Sequence, residues 1–424
     1  MNSSHPAQNT AISSGDSNSG SLSLDLKPRG TERLREATVR IQELGPQDET
    51  AWDSFVAGFP TGHLYQGWGW GDYKLRSGWE PVRLGVYRDD ELIGGAQLLI
   101  KSFKFVSIAY VPRGPVVDSS DEHAVRMLVA AMHVEARKRR AIFLKIEPNE
   151  PGGSSIEHSL RTEGFLVCRG EGIPQQPWAT LKVDLTRDES AILASMRSNT
   201  RRNIRAGAKA LTIREGSGAK DIELFHRMAN ELADRRGFGK HSLQYYQDLL
   251  EVLGPRDQAK LYLAEEDGQC FYGIMPLAFG HEGMFLHAGS IETNSKTPAN
   301  HVLQWKAMQW CKEKGCTHYD LWGVFERRSL DRSGTVAYQP LDEKDMSPTM
   351  RGIFWFKQGF GAESMRYVGA FAYPYHRAGY ELWEIGSRLP RQFAEKRRAA
   401  IDLVSTVRTK AKGLRSIATR SEKS

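Results

Sequence analysis

"PVRLGVYRDDELIGGAQLLIKS" at 81–102 and "AKLYLAEEDGQCFYGIMPLAFG" at 259–280 read alike. Each is a strand, an acidic turn and a second strand, with Asp267-Gly268 at the later turn. The likeness continues outward. "SIAYVPRGPVV" (107–117) and "GMFLHAGSI" (283–291) are strands running into loops. Each loop feeds a helix with apolar residues every three or four positions: "AVRMLVAAMHVEARKR" (124–139) and "NHVLQWKAMQWCKEKG" (300–315). A strand follows each helix, "AIFLKIEP" and "THYDLWGV". Finally "LRTEGFLVC" (160–168) matches "WFKQGFGAE" (355–363), a helix ending at Gly-Phe before a strand. The glycine there suits a left-handed C-cap.

Gly94 pairs with Gly273 at an offset of 179, Val125 with Val302 at 177 and Gly164 with Gly359 at 195. The last offset grows because the second copy carries a polar insertion around 325–350, which reads as a long loop. The fold class expected is α/β of the α+β type: two tandem units, each a mixed, mainly antiparallel sheet with flanking helices. Residues 1–37 read as a disordered tail, order beginning at "ATVRIQEL". The first unit is expected over 38–190 and the second over 191–365. Residues 386–424 read as a basic amphipathic C-terminal helix.

The 424 residues are 40% hydrophobic and 10% aromatic, enough for real cores, with a formal charge of +7. Residues 386–424 hold eleven Lys or Arg against three Asp or Glu, so that tail carries +8 and the rest −1. An anionic partner follows: an acidic membrane leaflet or RNA phosphates, with a merely solvated helix as the bland alternative. The four cysteines are few and irregularly spaced, which points to a reducing compartment. Cys311, Cys316 and His318 have the residue types of a metal site but no complementary cluster, so no metal is expected. No stretch is apolar enough to span a bilayer, and the N-terminus has no signal-like apolar region. A cytoplasmic location is expected, with peripheral contact at the inner face of the membrane through the tail.

The order of strands and helices resembles the GNAT acyltransferase fold. Two such units in one chain resemble the Fem (FemABX) family of peptidoglycan peptidyltransferases. "HLYQGWGWGDYK" (63–74), "AYVPRGPVVD" (109–118), "MRSNTRRNIRAG" (196–207), "RRGFGKHSLQYY" (235–246), "YDLWGV" (319–324) and "FWFKQGFG" (354–361) follow the family's order. The resemblance covers roughly 40–384. It implies transfer of an amino acid from aminoacyl-tRNA to a stem-peptide amine of lipid II or its UDP-linked form. It implies no cofactor beyond aminoacyl-tRNA as co-substrate. It also implies that the strand near 366–384 returns to complete the first unit.

The residues themselves supply the rest. Lys357 is wedged among aromatics; a cation in a dry site stabilises the oxyanion of an attacked ester. The resemblance gives Phe356-Lys357 the roles of donor contact and catalysis. Helix-dipole stabilisation is the structural reading of the same lysine. With Gly359 matched to Gly164, Thr162 stands at the place of Lys357 in the first copy, so the fold does not require a lysine there. Lys74, with Trp70 beside it, is placed by the resemblance on the acceptor's phosphates. Lys240 and His241 stand where some relatives carry an arginine for those phosphates, and Tyr245 and Tyr246 are candidate cleft residues. Arg113, in a strand-to-helix loop, is a candidate for the acceptor side. Arg197, Arg201, Arg205 and Lys209 recur every four residues, a cationic helix face suited to tRNA phosphates or to plain solvation. Glu147, Asp118 and Asp320 are strand-end carboxyls; none is singled out as a general base.

Two other functions stay in view. An acyl-CoA N-acyltransferase needs a glycine-rich pyrophosphate loop, and neither "AGSIETNSKTPANH" nor "YVPRGPVVDSSDEH" supplies one. A non-catalytic tRNA- or precursor-binding protein would not need Lys357.

Overall fold

A computed structural model describes residues 39–388, apart from 105, 169–175, 325, 331–335, 341–343 and 345. The expected N-terminal tail, and the basic tail beyond Arg388, lie outside the described residues.

The first unit contains β1 (Val39–Glu43), α1 (Glu49–Gly58), α2 (Trp68–Arg76), β2 (Trp79–Arg88), β3 (Glu91–Ser102), β4 (Ser107–Pro112), β5 (Val116–Val117), α3 (Glu122–Lys138), β6 (Ala141–Glu147), α4 (Ser155–Thr162) and β7 (Leu166–Val167). The chain continues through β8 (Ala179–Asp184), α5 (Glu189–Ser195), α6 (Ser198–Ala210), β9 (Thr212–Glu215), α7 (Gly218–Arg236), α8 (Leu243–Leu253), β10 (Tyr262–Glu266), β11 (Gln269–Phe279), β12 (Glu282–Ser290), α9 (Ala299–Glu313) and β13 (His318–Gly323). It ends with β14 (Glu326–Leu330), β15 (Val336–Pro340), α10 (Pro348–Gln358), β16 (Glu363–Arg366), β17 (Phe371–Pro374) and α11 (Arg377–Arg388).

The two sheets have one strand order. The first runs β1-β2-β3-β4-β6-β17-β7, with β5 also on β3; the second runs β9-β10-β11-β12-β13-β8-β16. Each is antiparallel except for one central parallel pair, β4 with β6 and β12 with β13. The hairpins turn where the acidic residues predict. Asp89 and Asp90 have φ of 52° and 95°, and Asp267 and Gly268 have 50° and 76°, as primed turns require.

The sixth place in each sheet is filled by exchange. β8 leaves the first unit and inserts beside β13, pairing Asp184 with His318 and Thr180 with Gly323. β17 leaves the second unit and inserts beside β6, pairing Phe371 with Ile146. The boundary expected at 190 is therefore corrected: 179–184 belongs to the second sheet. Each sheet needs a strand between its fifth and its edge, and the linker out of the other unit supplies it.

A second correction concerns the insertion. Glu326–Leu330 and Val336–Pro340 pair as an antiparallel hairpin instead of forming a long loop.

The amphipathic helices bury the faces their periodicity predicts. Asp121 caps α3 by accepting from the Ala124 N–H at 3.0 Å. The helix then buries Val125, Leu128, Val129 and Met132 against the first sheet. α9 buries Val302, Leu303, Ala307 and Met308 against the second. A third cluster joins α1, α2, α7 and α8 through Trp52, Tyr73, Phe225 and Leu249. It packs residues of the two units together and frames the cavity between them.

Candidate active site

The second sheet opens where the first stays closed. β12 and β13 are paired at Glu282–His318, Gly283–Tyr319 and Met284–Asp320, and not beyond. The splay, covered by α2, α7, α8 and α10, forms a cavity of about 740 Å³. The first unit lines it with Tyr65, Trp70, Lys74, Tyr110 and Gln176; the second with Arg236, His241, Tyr245, His287, Trp322, Phe356 and Lys357.

α10 carries one wall. Ser347 caps it, accepting from the Met350 N–H at 3.3 Å, and Pro348 occupies the first helical turn. Gly352, Ile353, Phe356 and Lys357 recur on one helical face and all line the cavity. Lys357 is 7% exposed. Its Nζ donates to the carbonyls of Trp322 (3.0 Å) and Gly323 (2.7 Å). No carboxylate forms an ion pair with it among the described residues. Burial lowers its pKa from 10.5 to about 8, against a partial upward pull from Asp320. Phe356 packs edge-on to His301 and Phe360, with ring centroids 5.2 Å apart in each case.

Lys74 faces this wall from α2. Its Nζ lies 4.7 Å from the ring centres of Trp70 and Tyr73 and 5.9 Å from that of Tyr245. It has an aromatic surround and no carboxylate partner among the described residues. Burial lowers its pKa to about 8. His241 stacks on Tyr245 with centroids 4.0 Å apart. The Tyr245 hydroxyl lies 3.1 Å from Nε2 of His287, whose pKa burial lowers to about 3, so that imidazole is neutral. Tyr246 packs edge-on against Tyr245. Lys74, Trp70, His241, Tyr245, Tyr246, Phe356 and Lys357 thus meet in one cavity, although the sequence separates them by up to 287 positions.

Other candidates stand elsewhere. Lys240 is half-exposed and paired with Asp234 at 2.7 Å, outside the cavity lining. Arg113 is buried beneath the site; it donates to the Pro177 carbonyl at 2.9 Å and lies 3.8 Å over the Tyr367 ring. It is a seam residue between the units, because burial leaves its guanidinium no access to the cavity. Arg197 caps α6, reaching Gln358 and stacking 4.3 Å over Trp355. Arg201 donates back to the carbonyls of Ala194 and Met196. Arg205 and Lys209 are exposed on α6. None of these four lines the cavity.

The strand-end carboxyls are structural. Glu147 pairs with Lys145 at 3.0 Å and accepts from the Tyr110 hydroxyl and the Gln176 N–H, both at 2.7 Å. Asp118 accepts from Ser120 in a turn. Asp320 accepts from Thr180 and from the Trp322 N–H. Cys311 and Cys316 are buried free thiols and His318 is exposed. Among the described residues no group of three or more His, Cys, Asp or Glu could hold a metal. No described helix is long and apolar enough to cross a membrane.

Sequence reasoning missed Arg236, an exposed residue that lines the cavity, and the carbonyl pair at Trp322-Gly323. Arg236 sits in the quoted "RRGFGK" run, one residue before the left-handed Gly237 that ends α7 (φ 71°). That glycine was the available signal: a residue at a helix end is directed by the cap.

The C-caps refine the match between the copies. Gly164 is left-handed (φ 85°), but Gly359 is not (φ −59°); Gly361 is (φ 73°). Gly359 is glycine because a Cβ there would stand 2.6 Å from Thr200 Oγ1. Matching Gly361 to Gly164 sets Lys357 against Leu160, a fully buried core residue, instead of Thr162.

Comparisons with known proteins agree with this architecture. A model of the FemAB family matches residues 48–155, and a model of the acetyltransferase (GNAT) domain matches 194–338. The lipid II:glycine glycyltransferase of Staphylococcus aureus (strain USA300) is 29% identical over 407 residues, spanning 78% of this chain and 93% of its own. The UDP-N-acetylmuramoylpentapeptide-lysine N(6)-alanyltransferase of Weissella viridescens is 26% identical, spanning 68% of this chain and 87% of its own. The crystal structure of FemX shares the fold with a TM-score of 0.71 at 21% identity, over 81% of this chain and 100% of that one.

Proposed function

The chain belongs to the FemAB family of transferases, and on that premise we propose that it moves an amino acid from aminoacyl-tRNA to the stem-peptide amine of a peptidoglycan precursor. The acceptor is lipid II or UDP-MurNAc-peptide, and the product is the first part of a cell-wall bridge. The observation that carries this reading is Lys357: a buried cation in the open splay, held by two carbonyls and by no carboxylate among the described residues.

The chemistry asks little more. The neutral acceptor amine attacks the ester carbonyl of the aminoacyl-tRNA, forming a C–N bond. The carbonyl electrons move to oxygen, where the Lys357 ammonium stabilises the charge. Collapse breaks the C–O bond to the ribose, and the proton lost by the amine ends on the departing ribose hydroxyl. No Ser or Cys nucleophile is required, because the ester is already activated.

Phe356 offers a face for the terminal adenosine. Lys74 and His241, with Arg236, supply positive or polar groups for the acceptor's phosphates, and Trp70, Tyr245 and Tyr246 its apolar walls. The exposed cations of α6, Arg205 and Lys209, extend toward the tRNA backbone. The basic residues after Arg388 place the enzyme against the anionic inner leaflet, near a lipid-linked acceptor.

The test pairs the purified protein with charged tRNA pools and both acceptor forms, and identifies the product by mass spectrometry. An acceptor heavier by one aminoacyl residue, formed only with charged tRNA, is expected. Acyl-CoA turnover without tRNA, and no transfer with it, overturns the proposal.

A further inference from the structure

The strand end facing Lys357 is distorted in a specific way. Pairing of β13 with β8 runs from Asp320–Lys182 to Gly323–Thr180 with a register shift between them. Within that bulge Trp322 has a φ of 68°, a left-handed conformation that is strained for a bulky residue. Bulges of this kind re-aim backbone groups beside active sites. Here the re-aimed groups are the Trp322 and Gly323 carbonyls, both of which accept from Lys357 Nζ. Gly323 fits only as glycine, since a Cβ would stand 2.9 Å from Pro177.

Asp320 holds the bulge. It is 1% exposed, and one oxygen, Oδ1, accepts both the Thr180 hydroxyl and the Trp322 N–H, the latter at 2.6 Å. The neighbouring buried charges have partners of their own. Lys182 pairs with Glu282 at 2.5 Å, and Arg113 donates to Pro177 and lies over Tyr367. Asp320 therefore does not serve as the direct ion-pair partner of either cation, and both its hydrogen bonds serve the bulge.

We propose that Asp320 is a positioning residue: by accepting the Trp322 N–H it keeps the left-handed bulge whose two carbonyls aim the Lys357 ammonium into the cavity. An ammonium has three donors; two are engaged by the bulge and the third is left for the reacting oxygen. This inference rests on the reading of Lys357 as the cation of the transfer step.

Asp320→Ala and Asp320→Asn test it in the full chain, each alone and with Lys357→Ala. Asn keeps an acceptor oxygen at the same place; Ala does not. The expected result is an Asp320→Ala enzyme with kcat reduced about tenfold or more and acceptor KM changed less than about twofold. Asp320→Asn should recover to within about threefold of the parent. In the Lys357→Ala background Asp320→Ala should add almost nothing, because the two residues act as one unit. Equal losses in both backgrounds, or an Ala variant with parental kcat, overturn the proposal. If Lys357→Ala itself retains transfer, the catalytic reading of Lys357 fails on its own. Positioning is then decided by the rate at which an amine-reactive reagent labels Lys357. A change of about threefold or more in Asp320→Ala supports it, and an unchanged rate overturns it. If Asp320→Ala does not fold, Thr180→Val removes one donor from the same oxygen and is scored by the same labelling rate.

Discussion

The two sheets repeat one design and diverge at one place. In the first, β4 and β6 remain paired through Pro112–Glu147. The strand ends there are closed around a paired carboxylate: Glu147 faces Lys145 through one oxygen and accepts from the Tyr110 hydroxyl and the Gln176 N–H through the other. In the second, β12 and β13 part after Met284–Asp320, and the gap receives a lysine whose hydrogen-bond partners among the described residues are two carbonyls. At the matching helix position the closed copy has the core residue Leu160, the open copy Lys357. A charge fully paired inside a closed sheet contributes stability; a charge left half-satisfied in an open one is available to a ligand. The duplicated scaffold has thus divided those tasks between its copies.

The largest expected effect tests the closed copy. Glu147→Ala removes the carboxylate paired with Lys145 at a site where the two side chains are 5% and 3% exposed. Such a loss costs about 3–5 kcal/mol, read as a lower urea midpoint. A midpoint within experimental error of the parent would show that the first sheet does not depend on this closure.

The open copy should respond in rate instead. Lys357→Ala is expected to lower kcat about 100- to 1,000-fold while acceptor binding, measured by calorimetry, is kept. Lys74→Met should do the reverse, raising acceptor KM about tenfold with a smaller change in kcat. A Lys74→Met enzyme impaired mainly in kcat would place Lys74 at the reacting atoms and join the two roles the cavity separates.

Much of this comparison was legible in the sequence because it rests on local pattern. Hairpins declare themselves by alternation and acidic turns, helices by their apolar period, and the repeat by near-constant offsets. The cavity residues on α2, α8 and α10 lay in aromatic-rich runs that plain surface helices rarely carry. What was hidden is non-local. Nothing in "WATLKVDLT" says which sheet its strand will enter, since both sheets present the same vacancy to it. Arg113 shows the difficulty for charges: residue type identifies a cation, but the Pro177 carbonyl and Tyr367 ring that engage it come from elsewhere in the chain. Gly359 and Gly361 look interchangeable in "KQGFGAE", yet one meets Thr200 and the other turns the backbone.

The smallest effect separates rate from stability by pH. Lys74 and Lys357 release their protons near pH 8 in the folded chain, against an ordinary 10.5. Above pH 8 the unfolded chain therefore holds more protons than the folded one, and stability rises with pH. At pH 9 the gain is on the order of 1 kcal/mol per lysine. Burial of Cys168 and Cys270, whose thiols are pushed up to about 11, gives the opposite slope above pH 9, so the window is pH 8–9. At saturating acceptor the rate advantage of the parent over Lys357→Met should fall across the same window, because the proposed oxyanion-stabilising cation is being lost while the neutral fraction of the acceptor amine rises alike for both. The two trends run against each other only if the charge needed for the reaction is one that the fold would be more stable without. Urea melts and initial rates at pH 7.5, 8.5 and 9, on the parent and on Lys357→Met, decide this. Met should flatten about half of the stability slope and leave a transfer rate that, at saturating acceptor, rises with pH as the acceptor amine loses its proton. A parent-to-Met rate ratio that stays constant from pH 7.5 to 9 would place the alkaline transition in other groups and remove the tie between the open sheet and its buried lysine.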